Sequence, residues 1–378
     1  MSARRTRQVE TDVLIIGGGI SAAMVAEKLT ANTDDNVLIV EAGQHSTPTD
    51  QRARARQRYI DYGENPWHND HIDDQHPMGI MSRSMAVGGQ ALHWGGTVPR
   101  YSPEDFQLQS TFGVHEDWPI TYDDLDPYYQ EAEERMGVSG MQGPSALDPR
   151  GAPYPMRHVP LPWTLERLQE WIEGADIPIW ANPVAKNTEP YNGRNVCARC
   201  DTCNICPTGA KYSPDFTFAQ LLAAERIRLQ TGTLIRRLEL EAGSDRILAA
   251  IGRSYDDPDT DIVYRARKFV LAGGYTWSPH LLMLSANDRF PDGLANSSGT
   301  LGRYMTGHRA VSATVELPMR LLPGMYYGHS LISKYFQRPQ LPGGPGLSNG
   351  RYVRSDFRVW ESATGRGPRM RGSDGQLM

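Results

Sequence analysis

The stretch Thr11-Asp12-Val13-Leu14-Ile15-Ile16-Gly17-Gly18-Gly19-Ile20-Ser21-Ala22 decides the fold. An apolar run closed by glycines, then small residues opening a helix, is how a dinucleotide-binding βαβ unit begins. Gly17 and Gly19 let the backbone turn sharply and approach a pyrophosphate with no Cβ in the way. Ala22 takes the third small position, where helix packs closely on strand. The helix N-terminus, with Ile20 and Ser21 in its first turn, aims free N–H groups and a positive dipole end at phosphate oxygens. A second strand, Asn36 to Val40, ends in Glu41, 22 residues after Gly19, with Ala42 next to it. That is where a carboxylate accepts from the ribose hydroxyls of an adenine dinucleotide.

The chain around this unit has 378 residues, enough for two lobes or one large α/β unit. A net charge of −5 excludes the basic stripe that a nucleic-acid partner needs. No apolar run approaches the ~20 residues of a membrane span. The polar N-terminal arm, residues 1–10, passes into the first strand without the hydrophobic stretch of a signal peptide. The expected location is therefore cytoplasmic, or periplasmic if the protein is exported with a small signal-bearing subunit. The polar segment from His45 to Pro77 is read as a solvated loop. Its His68, Asp70, His71, Asp73, Asp74 and His76 fit no helix face and no standard finger spacing.

A second glycine-rich stretch is Met85-Ala86-Val87-Gly88-Gly89-Gln90-Ala91-Leu92-His93-Trp94-Gly95-Gly96. Two diglycines within so short a run imply backbone lying close to a flat ligand. The stretch resembles the first signature of the glucose-methanol-choline (GMC) family of FAD oxidoreductases, in which a Gly-Gly loop lies along the isoalloxazine. The resemblance implies FAD as cofactor, with Gly88, Gly89, His93 and Trp94 bordering it. The His93-Trp94 pair also resembles a flavin-attaching Thr-His-Trp of that family, with Leu92 in place of the Thr, which leaves covalent and non-covalent attachment open. Gly274 to Ser285 is similar to the family's second signature, with a helix expected to start at Ser278-Pro279. Strands from Thr233 to Leu238 and from Ala266 to Leu271, separated by turn-forming clusters, read as an antiparallel ribbon. By resemblance, Ile235, Ala272 and Gly273 belong to the cofactor site. Thr121 and Asp124 are spaced as a capping pair ahead of a helix expected from about Pro127 to Met136. Leu301 to His308 resembles the family's Gly-Arg…His turn, and Val311, Ala313, Val315 and Leu317 alternate as in a half-buried strand of its substrate sheet.

All four cysteines lie in Cys197-Ala198-Arg199-Cys200-Asp201-Thr202-Cys203-Asn204-Ile205-Cys206-Pro207. None remains for a disulfide framework. A thiolate every third residue lets a compact loop wrap one inorganic core, and the run resembles that of ferredoxins except that two residues rather than three precede Cys206. Two CxxC pairs could instead hold a structural zinc, although zinc ribbons separate their pairs by a longer loop. Some bacterial sugar dehydrogenases of the GMC family carry a three-iron cluster in a comparable insertion, relaying electrons from flavin to a cytochrome, quinone or other acceptor. That resemblance makes Cys197, Cys200, Cys203 and Cys206 candidate ligands, three of them for a three-iron cluster and all four for a four-iron one.

The expected fold is α/β. A Rossmann-like FAD-binding domain with a βαβ start and antiparallel ribbon comprises residues 11–140 and 207–308, interrupted by a cysteine-bearing insertion at 141–206. An incomplete α+β substrate domain begins at 309–336, and 337–378 is linker-like and too polar to form a core element. The family's catalytic histidine, paired with a second His or Asn, belongs to a C-terminal segment not recognisable here. The resemblance runs from about Asp12 to Leu317, neither His280 nor His308 has the context of a base, and a truncated chain is expected. The reaction implied is oxidation of a sugar or glycoside hydroxyl, with hydride to flavin and electrons out through the cluster. Alternatives are a GMC alcohol oxidase or dehydrogenase with a structural metal site, and an inactive flavin-binding fragment needing its missing part or a partner.

Overall fold

The computed structural model describes residues 5–44, 49–62, 71–76, 79–200, 202–305, 330–335 and 357–360. In chain order it begins β1 (Arg5–Ile16), α1 (Ile20–Asn32), β2 (Val37–Val40), α2 (Thr49–Tyr62), β3 (His71–His76) and β4 (Gly79–Ser84). There follow α3 (Leu108–Phe112), α4 (Tyr122–Met136), β5 (Ser139–Gly140), β6 (Met156–Arg157), α5 (Trp163–Glu173) and β7 (Trp180–Ala181). Then come α6 (Pro214–Ala223), β8 (Ile227–Gln230), β9 (Thr233–Leu240), β10 (Ile247–Ser254) and β11 (Thr260–Leu271). The last are α7 (Gly274–Leu284), β12 (Ser330–Ser333) and β13 (Phe357–Trp360). The chain divides into two units, the first made of residues 1–51, 57–93 and 213–315, the second of 52–56, 94–212 and 316–378.

In the first unit the run Val13-Leu14-Ile15-Ile16 is apolar on both faces because both faces are covered. Val13 and Ile15 pack with Ala22, Ala23 and Ala26 of α1 and Phe218 of α6. Leu14 and Ile16 pack with Ile235, Leu238, Tyr264 and Leu281 on the other side. Such a strand belongs at the centre of a sheet, and the order is β8-β2-β1-β11-β10-β9. β1 pairs in parallel with β2 and, from Arg5↔Thr260 to Ile16↔Leu271, with β11. β9, β10 and β11 run antiparallel, as the turn clusters between them imply. The α/β class with a βαβ start and an antiparallel ribbon is thus observed.

The second unit is mixed α and β. Its sheet has the order β13-β12-β7, and Leu331 of β12 packs with Leu161, Leu165, Ile179 and Ala181. A buried ionic cluster lies beside α4. Arg100 donates through Nε and Nη2 to the two carboxylate oxygens of Glu133, at 2.8 and 3.0 Å, and through Nη1 to Tyr122 and Asp126. Arg150 donates to the same Glu133.

Three expectations are corrected. The polar segment read as a loop contains α2 and β3, whose side chains show no apolar period. In α2, Arg and Gln are good helix formers, and Gln57 donates to Asp61 one turn later at 2.8 Å. The candidate metal-site side chains between His68 and His76 lie outside the described residues. α4 starts at Tyr122, not near Pro127, because Thr121 Oγ1 accepts from Asp124 N–H at 3.2 Å while Asp124 accepts from Thr121 N–H at 2.8 Å. That reciprocal cap fixes the first turn, the helix carries Pro127 inside it, and it ends at Gly137 with φ +62°. α7 starts at Gly274, four residues before Ser278, since the glycines after β11 make the turn and Gly274 has φ +78°. Residues 306–329 and 336–356, with His308 and the alternation from Val311 to Leu317, lie outside the described residues, as does the tail from 361.

Candidate functional site

The first unit holds a cavity of about 530 Å³ at the C-terminal ends of β1, β2 and β11. In an open α/β sheet this is where ligands bind. Gly17 makes the turn possible. Its φ is +106°, and a Cβ on it would stand 2.5 Å from the Ala272 carbonyl oxygen. Gly19 is different, because it caps α1 in extended conformation and a Cβ there would meet nothing within 4 Å. The room beside Gly19 is not filled by protein. No side chain caps α1, and Ile20 and Ser21 of its first turn line the cavity.

Glu41 closes the end of β2. Its carboxylate accepts from the backbone N–H of Gly18 at 2.6 Å and of Gly43 at 2.7 Å. Burial pushes its pKa up, against the lowering effect of the N–H groups of Gly43, Gly18 and Ala42. The second glycine-rich stretch returns onto this turn, with Gly88 N–H donating to the Gly18 carbonyl at 2.8 Å. Gly89, Gln90 and Ala91 form part of the wall.

Of the residues singled out in the sequence, Gly17, Gly19, Ile20, Ser21, Glu41, Ala42, Gly89, Ile235, Ala272 and Gly273 line one cavity. Gly88 is not in the lining. His93 ends the 3-10 turn Gly89–Leu92, its N–H donating to Gln90 O at 3.1 Å, and is not in the lining. Trp94 belongs to the second unit, where its indole N–H donates to the Tyr212 carbonyl at 2.9 Å. Sequence reading missed Arg236, Tyr275, Thr276 and His280, which also face the cavity. The early start of α7 places the last three there.

The four cysteines line a second, smaller cavity inside the second unit. The loop is tightly wound, with Cys206 N–H donating to Thr202 O at 2.8 Å and left-handed backbone at Arg199 and Cys206. Arg56 of α2 braces it by donating to Thr202 Oγ1 at 2.8 Å and to Cys200 O at 3.3 Å. Lys186 Nζ donates to Cys203 Sγ at 3.0 Å, and Lys211 N–H donates to Cys206 Sγ at 3.2 Å. Both lysines are 1% exposed. Burial draws the Lys211 pKa down to about 7, opposed by Cys206 and Cys203, and burial pushes the Cys197 thiol up. Among the described residues, no three His, Cys, Asp or Glu side chains converge as ligands of a metal ion. Asp201 lies outside the described residues.

No protein-family model matches the chain. It is 33% identical over 340 residues to the fructose dehydrogenase large subunit of Gluconobacter japonicus, an alignment covering 82% of this chain and 60% of that protein. It is 32% identical over 354 residues to 6'''-hydroxyparomomycin C oxidase of Streptomyces lividus, covering 89% and 62%. It is 31% identical over 314 residues to 2-methyl-1,2-propanediol dehydrogenase of Mycolicibacterium austroafricanum, covering 79% and 55%. The chain belongs to the GMC family of FAD oxidoreductases. It spans about three fifths of the length of these relatives.

The residues present fit the GMC cofactor. The unfilled room at Gly19, the uncapped first turn of α1 and the carboxylate of Glu41 are the parts that a pyrophosphate and a ribose require. No helix among the described residues is long and apolar enough to cross a membrane.

Proposed function

We propose that the first unit binds FAD and that the protein oxidises a hydroxyl of a sugar or glycoside. Bound FAD supplies a hydride acceptor for the carbon bearing that hydroxyl. The observation that carries the reading is the open space at Gly19 beside Glu41, in a cavity that the βαβ unit and β11 build together. In this reading the first-turn amides of α1 receive the pyrophosphate, Glu41 accepts from ribose hydroxyls, the Ile235 backbone borders the adenine, and Gly89 to Ala91 wall the flavin ring. Ala272 and Gly273 line the cavity at the end of β11, Gly88 shapes the turn against Gly18, and His93 and Trp94 follow Leu92 in the chain. The kinship with a fructose dehydrogenase subunit and a propanediol dehydrogenase supports a hydroxyl substrate.

The four thiols of the second unit are assigned to an iron–sulfur cluster, three-iron or four-iron, that passes electrons to a cytochrome or quinone. Support comes from their spacing, their shared cavity and the buried lysines beside them. The test is chemical analysis of the purified chain. FAD released on denaturation, with iron and acid-labile sulfide, is the expected result, and anaerobic mixing with hexoses and glycosides should bleach the bound flavin. Zinc without sulfide would remove the electron relay, and a chain that retains no flavin would remove the whole reading.

Glu41→Gln tests the ribose contact. An amide keeps one acceptor oxygen but sets its NH2 against a backbone N–H, so a charge-assisted pair is lost at a buried site. Flavin affinity of the apoprotein, read by fluorescence quenching, is expected to fall roughly 10–100-fold, corresponding to about 1.5–3 kcal/mol. Unchanged affinity would rule out a contact at Glu41.

A further inference from the structure

Arg236 borders the cavity of the first unit beside Ile235. Among the described residues, none forms a hydrogen bond or ion pair with its guanidinium. Arg237, next in the chain, donates to Glu239 at 2.6 and 3.1 Å. The strand ladder slips by one residue between the two arginines. Ile235 pairs with Gly252 of β10 and Arg237 with Ile251, so Arg236 is extra and opposes no residue. The buried positions of β9 shift with it, from Thr233 and Ile235 to Leu238. A bulge of this kind re-aims a side chain, and bulges gather beside binding sites.

The groups around Arg236 decide what it can hold. Thr233 N–H donates to the Glu41 carbonyl at 3.1 Å, so the start of β9 adjoins the ribose end of the site. Ile235 is packed in the core with Leu14 and Leu281. Leu284, 55% exposed, stands in the cavity wall at the end of α7. Ser285 ties that end to β9, its Oγ accepting from Leu238 N–H at 2.8 Å. This part of the cavity therefore offers apolar surface and one planar cation. The anionic groups of the cofactor belong elsewhere. First-turn amides of α1 take the pyrophosphate, and a phosphate on the ribose would face the carboxylate of Glu41. What remains is adenine, a neutral ring whose π face attracts a guanidinium. We propose that Arg236 stacks on the adenine and selects FAD over flavins that lack it, a role that rests on FAD binding in this cavity as read above.

The test titrates apoprotein of the full chain with FAD and with FMN, which lacks the adenosine, and reads flavin fluorescence. A parent chain that binds no FAD overturns the reading of the cavity and this role with it. With FAD bound by the parent, the variants bear on Arg236 alone. Arg236→Met is expected to weaken FAD roughly 3–30-fold and to leave FMN unchanged. Arg236→Tyr should recover most of that loss, because a neutral ring stacks on adenine but carries no charge for a phosphate. Thermal melts of both apoproteins should match the parent, since the guanidinium holds no other described residue. A methionine variant that binds FAD as tightly as the parent overturns the proposal. So does an equal loss for FAD and FMN, or a tyrosine variant as weak as the methionine one, because either result puts the contact on a phosphate. If FMN binds too weakly to titrate, the comparison of tyrosine with methionine on FAD decides.

Discussion

A Gly19→Val chain is expected to fold normally and to purify without flavin. The side chain would enter space in which no atom beyond the neighbouring residues of the chain lies within 4 Å of the new Cβ. Its effect on the apoprotein is therefore confined to the helix cap. Gly19 makes no side-chain capping bond to lose, and a poor cap residue typically costs about 1 kcal/mol. The same atoms stand where a pyrophosphate must approach the first turn of α1, so the ligand meets the full volume of the side chain. Affinity should fall ~100-fold or more, about 2.7 kcal/mol. Gly17→Ala makes the informative contrast, since its Cβ would lie 2.5 Å from the Ala272 carbonyl oxygen at φ +106° and must disturb the sheet itself. The measurements are flavin content after purification, an apoprotein titration and a thermal melt. A valine variant carrying stoichiometric FAD would show that the cofactor does not pass Gly19.

Why Gly19 and Gly17 behave so differently bears on what the sequence reveals. The two look alike in Gly17-Gly18-Gly19, and both suit a nucleotide turn, but only the fold shows that one is crowded by β11 and the other is open. The rest of the βαβ unit was legible because its signals are local. The buried central strand, the small residues of α1 and the acidic end of β2 all lie within one short stretch, and each shows in its own residue types. The antiparallel ribbon was legible for the same reason, through turn residues between β-branched runs.

What escaped depends on long-range packing or on competing local cues. Ser278-Pro279 is a sound helix start, yet the glycines that end β11 start α7 four residues earlier, which brings Tyr275, Thr276 and His280 to the cavity wall. α2 has no apolar face to betray it. Lys186 and Lys211 would ordinarily be assigned to the surface, and nothing near them in the chain announces that both are 1% exposed beside the cysteines. The cysteine run itself was plain from spacing, but its charged surroundings come from residues as distant in sequence as Arg56.

Arg100 and Arg150 share that property, and they lead to the largest stability effect expected in the second unit. Their side chains are 2% and 0% exposed, and both donate to Glu133, which is 5% exposed. Burial alone would lower the pKa of Arg100, but the hydrogen bonds it donates to Glu133 and Tyr122 and the charge of Glu133 raise it instead, so the guanidinium stays charged throughout the accessible pH range. Glu133→Ala would remove the acceptor of two buried cations and leave Asp126 as the carboxylate still bonded to Arg100. Breaking a buried pair from one side costs about 3–5 kcal/mol, because the remaining charge has lost its solvent and its partner. At roughly 2–4 °C per kcal/mol for a unit of this size, the melting transition should drop by roughly 6–20 °C. Glu133→Gln should lose less, since one amide oxygen still accepts from Arg100. Hydrogen exchange locates the effect, with amides of α4 and of the segment around Arg150 expected to lose protection before those of β1. If the alanine variant melts with the parent, these arginines find compensation elsewhere and the cluster does not hold the unit together.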